Sequence, residues 1–417
     1  MRQSRRFTRR AVLQTGGATV AGAAGLAGCT TTTTSSGEGP ITIGATMPKT
    51  GPLSATGKSV LQGYELGVEY VNNNGGVDGR ELELIVKDDE GEAKTARTKL
   101  REIVSNNDVA MLWGSFSSLL VTAGSAFAEQ QELPFLGSTF AYMEPHEEKD
   151  YEWTFAPFMK SRDIARATKE WFDTLQPEPP RRLAIWELNS GWGNEMAEYW
   201  TDTFEGTDYE VVFREKYSLG TSDFASLISQ TKSKNADAVL SNPVPPDGIT
   251  AVRQMKTQGY NPKLINFVRA SDPRSWISAL GDTGNYVGSS GVGWLGGLDT
   301  TGTDDLLDLY HEQDGVSEDA VPIDVVGDAF GLVQVAAQAL EAAGSTENTE
   351  IQNTLREERF DTVLGKFGFD DTGMPAQGEI TPACGQWYEG DPMLVHPETD
   401  SEYSVDTVYP MPPFDGR

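Results

Sequence analysis

The chain has 417 residues, with 33 Lys+Arg against 62 Asp+Glu and a net charge of −29. Such an excess of carboxylates excludes nucleic acid and anionic membrane surfaces as partners, because both repel it. A hydrophobic content of 38%, spread in regular periods through the acidic sequence, excludes disorder. The acidity reads instead as a salt-adapted surface, where dense carboxylates hold water and concentrated ions screen their repulsion, and it points to a halophilic, archaeal source.

The first 28 residues read as a leader. Arg5-Arg6 and Arg9-Arg10 precede an apolar stretch, a pattern that suits twin-arginine export, and the run from Ala18 to Gly28 is too short and too rich in Gly and Ala to span a membrane. Leu26-Ala27-Gly28-Cys29 has the form of a lipobox, in which small residues admit the peptidase and the Cys29 thiol takes the lipid. The alternative is an ordinary cleavage site that happens to include a cysteine. Residues 29–39, rich in Thr and Ser, form a tether that cannot bury a core. The expectation is a globular body anchored to the outer face of the cell membrane.

Beyond the tether the pattern alternates. Strand Ile41 to Thr46 is followed by a helix carrying Val60, Leu61, Tyr64, Val68 and Val71 on one face, strand Glu81 to Asp88, a helix from Glu92 to Asn106 and strand Val109 to Trp113. This βαβαβ order implies a parallel sheet with helices on both faces. After the break at Pro177 to Pro180 a second set begins, with strands Leu183 to Glu187, Tyr209 to Glu215, Asp237 to Ser241 and Leu264 to Val268 and helices from about Asn194, Asp223 and Asp247. Two similar α/β lobes follow, since the chain exceeds the size of one hydrophobic core.

With Cys29 committed to lipid, Cys384 is the one cysteine left, so the fold rests on packing rather than a disulfide, and Cys384 reads as structural. His146, His311 and His396 lack metal-ligand spacing, so neither a metal nor a cofactor is expected. Two phosphate-site look-alikes fail on geometry. Gly51 to Ser59 has five residues between its glycines where a phosphate loop has four, and Gly291 to Gly296 matches the dinucleotide fingerprint without the strand, helix and downstream acid that make it work.

Several tracts together carry a resemblance. Ile41-Thr42-Ile43-Gly44, Thr50 to Gly57, Gly63 to Gly67, Asn73-Asn74-Gly75-Gly76-Val77-Asp78-Gly79-Arg80 and Asp88-Asp89-Glu90 resemble the opening of the leucine/isoleucine/valine-binding family. Ala339 to Ser345, Phe360 to Gly365 and Phe369 to Gly373 are similar to its closing part. These are type I periplasmic binding proteins that feed ABC importers. The resemblance implies two Rossmann-like lobes, each a parallel sheet flanked by helices, joined by a three-strand hinge with crossovers near Ala156, Gly291 and Phe369. Lobe 1 would hold residues 40–157 and 292–369, and lobe 2 residues 158–291 and 370–395. An acidic, proline-containing tail, 396–417, would either cover a lobe or stay loose.

The resemblance also implies a site. Ser118 falls where the family holds a ligand carboxylate with a hydroxyl and a helix N-terminus, a place that favours anions; a plain N-cap serine is the alternative. Ser138 and Thr139 lie beside the position of a family threonine, which is Ala141 here. Trp192 stands where an aromatic closes over the ligand. At the family's acidic partner of the ligand ammonium this chain has Arg269, with Asp272 three residues on. An inward Arg269 favours a carboxylate, whereas an inward Asp272 keeps an α-amino acid. The implied activity is not enzymatic. The protein would be a monomer that captures a small amino acid, carboxylate or amide and delivers it to an ABC permease complex. A ligand sensor of the same fold is the alternative, and an exported hydrolase using Ser118 a remote one, since no motif sets a base beside it.

Overall fold

The computed structural model describes residues 39–417 except 272, 318, 381 and 382. The leader, Cys29 with most of the tether, and Asp272 therefore lie outside the described residues. Among those described, no helix is long and apolar enough to cross a membrane.

The first sheet is wholly parallel and takes β1 (Ile41–Met47), β2 (Leu82–Asp88), β3 (Met111–Trp113), β4 (Phe135–Leu136) and β5 (Thr154–Phe155) in the order β2-β1-β3-β4-β5. Ile43 of β1 stands between Leu84 and Met111, and β1 is buried almost throughout, as a central strand covered on both faces must be. Helix Ser54–Asn73 covers it with Val60, Gly63, Tyr64, Gly67 and Val71, spaced three or four apart. Two of its buried glycines, Gly63 and Gly67, set the approach of a second helix, Asp324–Ala343. A Cβ at Gly63 would lie 2.2 Å from the Val326 carbonyl oxygen, and one at Gly67 would lie 2.7 Å from Val333 Cβ.

The second sheet takes β6 (Arg182–Leu188), β7 (Glu210–Tyr217), β8 (Ala238–Ser241), β9 (Leu264–Phe267) and β10 (Gly288–Val292). A separate antiparallel hairpin, β11 (Arg359–Thr362) and β12 (Gly365–Gly368), intervenes before β13 (Ala383–Tyr388) and β14 (Asp391–His396). The order is β14-β13-β10-β9-β8-β6-β7, parallel through β10, with β13 and β14 added antiparallel at one edge. That antiparallel pair lies outside the alternating strand and helix pattern of the sequence. The helix expected from Asn194 starts earlier, at Gly191, because Ser190 caps it: the Ser190 Oγ accepts from the Gly193 N–H at 3.0 Å.

The crossing segments touch one another. The Ala156 N–H donates to the Gly373 carbonyl at 2.9 Å, and the Gly293 backbone approaches both Phe158 and Asp328. The last residues are docked rather than loose. The Val405 N–H donates to Leu394 O, the Met411 N–H donates to Lys263 O, Phe414 is buried, and the Arg417 guanidinium donates to the carbonyls of Thr283 and Asn285. Cys384 is buried in β13, where burial pushes its thiol up to about 12.

Candidate functional site

In each sheet the strand order reverses once, between β1 and β3 and between β6 and β8. Loops at the carboxyl ends of strands flanking such a reversal diverge and leave a crevice where ligands bind in open α/β sheets. Ser118 follows β3, and Ser138 and Thr139 follow β4; in the other lobe Trp192 follows β6, Asn242 follows β8 and Arg269 follows β9.

Ser118 is the first residue of helix Ser118–Gln131 and is half-buried. The cap position itself belongs to Ser117, at φ 95°, whose side chain makes no cap hydrogen bond. Just upstream, the Ser115 hydroxyl donates to the buried Asp89 carboxylate at 2.5 Å, which fixes the loop against β2. Ser138 is buried near the Tyr64 phenol, which donates to the Gly114 carbonyl at 2.8 Å, and its own hydroxyl makes no hydrogen bond to protein. Ser138 thus belongs to the wall of the crevice. Thr139 holds φ at 46°, a rare conformation for a β-branched residue, and its buried hydroxyl has no protein partner.

Trp192 is half-buried, and its Nε1–H donates to the Ser161 hydroxyl at 3.1 Å. Ser161 opens the helix that follows the first crossing, so the indole is pinned beside the hinge. One turn on from Trp192, Glu195 reaches the other lobe. Its carboxylate accepts from the N–H groups of Met143 and Glu144, each at 3.0 Å, and from the Ser161 hydroxyl. Burial pushes the Glu195 carboxyl above its ordinary range, and those hydrogen bonds pull it back. Lys160 lies close by, fully buried, with its Nζ donating to the Phe140 carbonyl at 2.6 Å; burial lowers it to about 7.

Arg269 is buried at φ 71°, with its guanidinium 5.0 Å from the centre of the Phe158 ring. Its Nη1 is 3.1 Å from Asp324 Oδ2 and 3.7 Å from Asp328 Oδ2. Both aspartates project from the helix packed on Ser54–Asn73, so this ionic cluster joins a lobe 2 loop to a lobe 1 helix. Burial raises the Asp324 carboxyl and the nearby guanidinium opposes the rise. Asp324 also lines a small cavity with Ser271, Ser289 and Trp387.

Sequence reasoning therefore brought Ser118, Thr139, Trp192 and Arg269 to the carboxyl edges of the two sheets. It missed Glu195, Asn242, Asp324 and Asp328. Asn242 could have been found by its place directly after a strand beside the reversal; the two aspartates, more than fifty residues from Arg269 and inside an apolar helix, showed only as acids where a core face was expected.

The profile of the periplasmic binding protein family matches residues 40–381. Leu/Ile/Val-binding protein homolog 7 of Brucella melitensis is 27% identical over 231 residues, an alignment covering 54% of this chain and 57% of that protein, so the chain spans a little over half of that relative's length. Two solved structures share the fold. LivJ from Streptococcus pneumoniae, a branched-chain amino acid transporter substrate-binding protein in complex with isoleucine, superposes with a TM-score of 0.74 at 19% identity, covering 85% of this chain and 97% of that one. An R. palustris ABC transporter solute-binding protein in complex with benzoate gives 0.72 at 16% identity, covering 86% and 96%. With two reversed α/β sheets joined by adjoining crossings and a family match over most of its length, the chain belongs to the periplasmic binding proteins and has their type I fold.

Proposed function

We propose that this protein is the lipid-anchored, extracytoplasmic solute-binding component of an ABC importer of the branched-chain amino acid type. It is a binding protein, not an enzyme. Its ligand would be a small amino acid or a related carboxylate or amide held between two closing lobes. The observation that carries this reading is the Glu195 bracket: a side chain beside Trp192 in one lobe accepts backbone N–H groups of the other, so the two lobes meet directly beside the crevice. Capture then follows from linkage. A solute touching Ser118 and Thr139 on one side and Trp192 on the other gains those contacts together only in the closed form, so binding shifts the population toward closure.

Thermal unfolding of the full chain in concentrated salt, with and without amino acids, amides and small carboxylates, tests the proposal, with small-angle scattering as the second readout. A ligand at 100 times its Kd adds about 2.7 kcal/mol and raises the midpoint. The expected result is at least one small solute that raises the midpoint and reduces the radius of gyration. A panel in which no solute does either overturns the reading.

A further inference from the structure

We propose that Asn242 is a ligand-recognising residue of this cleft and that it selects small solutes bearing a primary carboxamide or urea-type group. The inference rests on the solute-binding reading above and narrows it to one ligand class.

Asn242 directly follows β8, at the strand reversal of lobe 2, and is 2% exposed. Neither its Nδ2 nor its Oδ1 has a hydrogen-bond partner in the protein. Buried polar side chains are almost always paired, and leaving both ends of a carboxamide unpaired is a penalty that a residue with a purely structural role would not carry. The next residue is Pro243, and the chain enters helix Pro245–Thr257 soon after, so the backbone that presents this side chain is stiff.

The chemistry of the amide decides what it reads. A carboxamide edge offers one donor and one acceptor side by side. Another primary amide, or urea, meets both at once with two antiparallel hydrogen bonds. A carboxylate has acceptors only and would face Oδ1 with like polarity, while an ammonium has donors only and would leave Nδ2 unmet. The ionic groups at this end of the cleft point the same way. Arg269 already faces Asp324 and Asp328, so the buried guanidinium is matched to two protein carboxylates before any solute arrives. In the other lobe, beyond the end of β4, the Thr139 hydroxyl, also unpaired with protein, can serve as donor or acceptor to an amide as readily as to any neutral group. A site whose unpaired groups are neutral and whose charges are internally matched reads hydrogen-bond pattern rather than net charge.

Three ligands with one carbon skeleton separate the classes: isovaleramide, isovalerate and valine, with acetamide and urea added for size. Titration calorimetry on the full chain should give measurable binding for an amide or urea and at least tenfold weaker binding for isovalerate. Asn242→Asp, which keeps the shape and removes the donor pair, should weaken amide binding at least tenfold; Asn242→Thr should do likewise should the aspartate variant fail to fold. Valine or isovalerate binding while the amides do not overturns this inference and leaves the solute-binding reading standing. Folded Asn242 variants that bind amides as tightly as the parent overturn it too. Binding by no member of the series overturns it, and the solute-binding reading falls with it only where the wider amino-acid panel also leaves the scattering unchanged.

Discussion

Two of the contacts that join the lobes are built from opposite materials. At one, Arg269 of the second lobe sits against Asp324 and Asp328 of the first, charge against charge. At the other, the Glu195 carboxylate receives two backbone N–H groups from Met143 and Glu144. An intact buried ion pair contributes little net stability, since its attraction is offset by the water both partners lose, yet removing one partner is costly. Hydrogen bonds to a charged group contribute about 1.5–3 kcal/mol, and backbone N–H groups lose little by returning to water when the lobes part. The ionic contact therefore fixes which surfaces meet, and the Glu195 contact favours their meeting.

The largest expected effect tests the first half of that contrast. Arg269→Met leaves two carboxylates buried without a cation and should lower stability by about 3–5 kcal/mol in urea unfolding. Adding Asp324→Asn and Asp328→Asn to it should restore most of the loss. A single variant as stable as the parent would show that the aspartates are not held as charges. Next in size, Glu195→Gln keeps an acceptor and loses the charge, and should weaken closure by about 1–2 kcal/mol. The readout is ligand affinity, roughly tenfold lower with the unliganded midpoint nearly unchanged; a fall in that midpoint with affinity intact would make Glu195 a folding contact instead. The smallest effect belongs to Gly191, where a Cβ would meet the Tyr142 hydroxyl at 2.4 Å across the lobes. Tyrosine can swing away, so Gly191→Ala should reduce affinity only a few-fold, and an unchanged Kd would mean that this contact is not squeezed on closure.

The contrast also explains what the sequence made legible. Apolar pattern located β1, β2, β6, β8 and β9 to within a residue or two: β8 and β9, buried on both faces, leave nearly unbroken apolar runs, whereas the edge strand β2 alternates apolar and polar residues. The family resemblance, rather than periodicity, singled out Ser118, Trp192 and Arg269, and each follows a strand. What the sequence could not supply were pairings between distant segments. Nothing local marks Asp324 and Asp328 as partners of Arg269, since an acid on a helix usually faces water. Glu195, on a helix, likewise has no local feature that marks it as the acceptor of the Met143 and Glu144 N–H groups. The final residues were equally opaque: Met411 and Phe414 are lone apolar residues among prolines and acids, with no period to announce that they are buried.

The edge pair β13 and β14 carries one more implication, for the order in which this protein takes shape. The first sheet is complete once residue 155 has been made, but the helix packed on its covering helix Ser54–Asn73 is not finished until residue 343, and the second sheet awaits its outer strands until residue 396. Pairings of such long sequence separation are slow to form, because a large loop must close before any contact rewards it. A ribosome-bound chain cut off before β13 would expose the flank of β10, with Ser289 and Ser290 unpaired to Gly385 and Cys384, as a strand edge open to pairing with another molecule. Successful maturation of this protein is thus a race between the arrival of its last strands and aggregation of a half-built sheet.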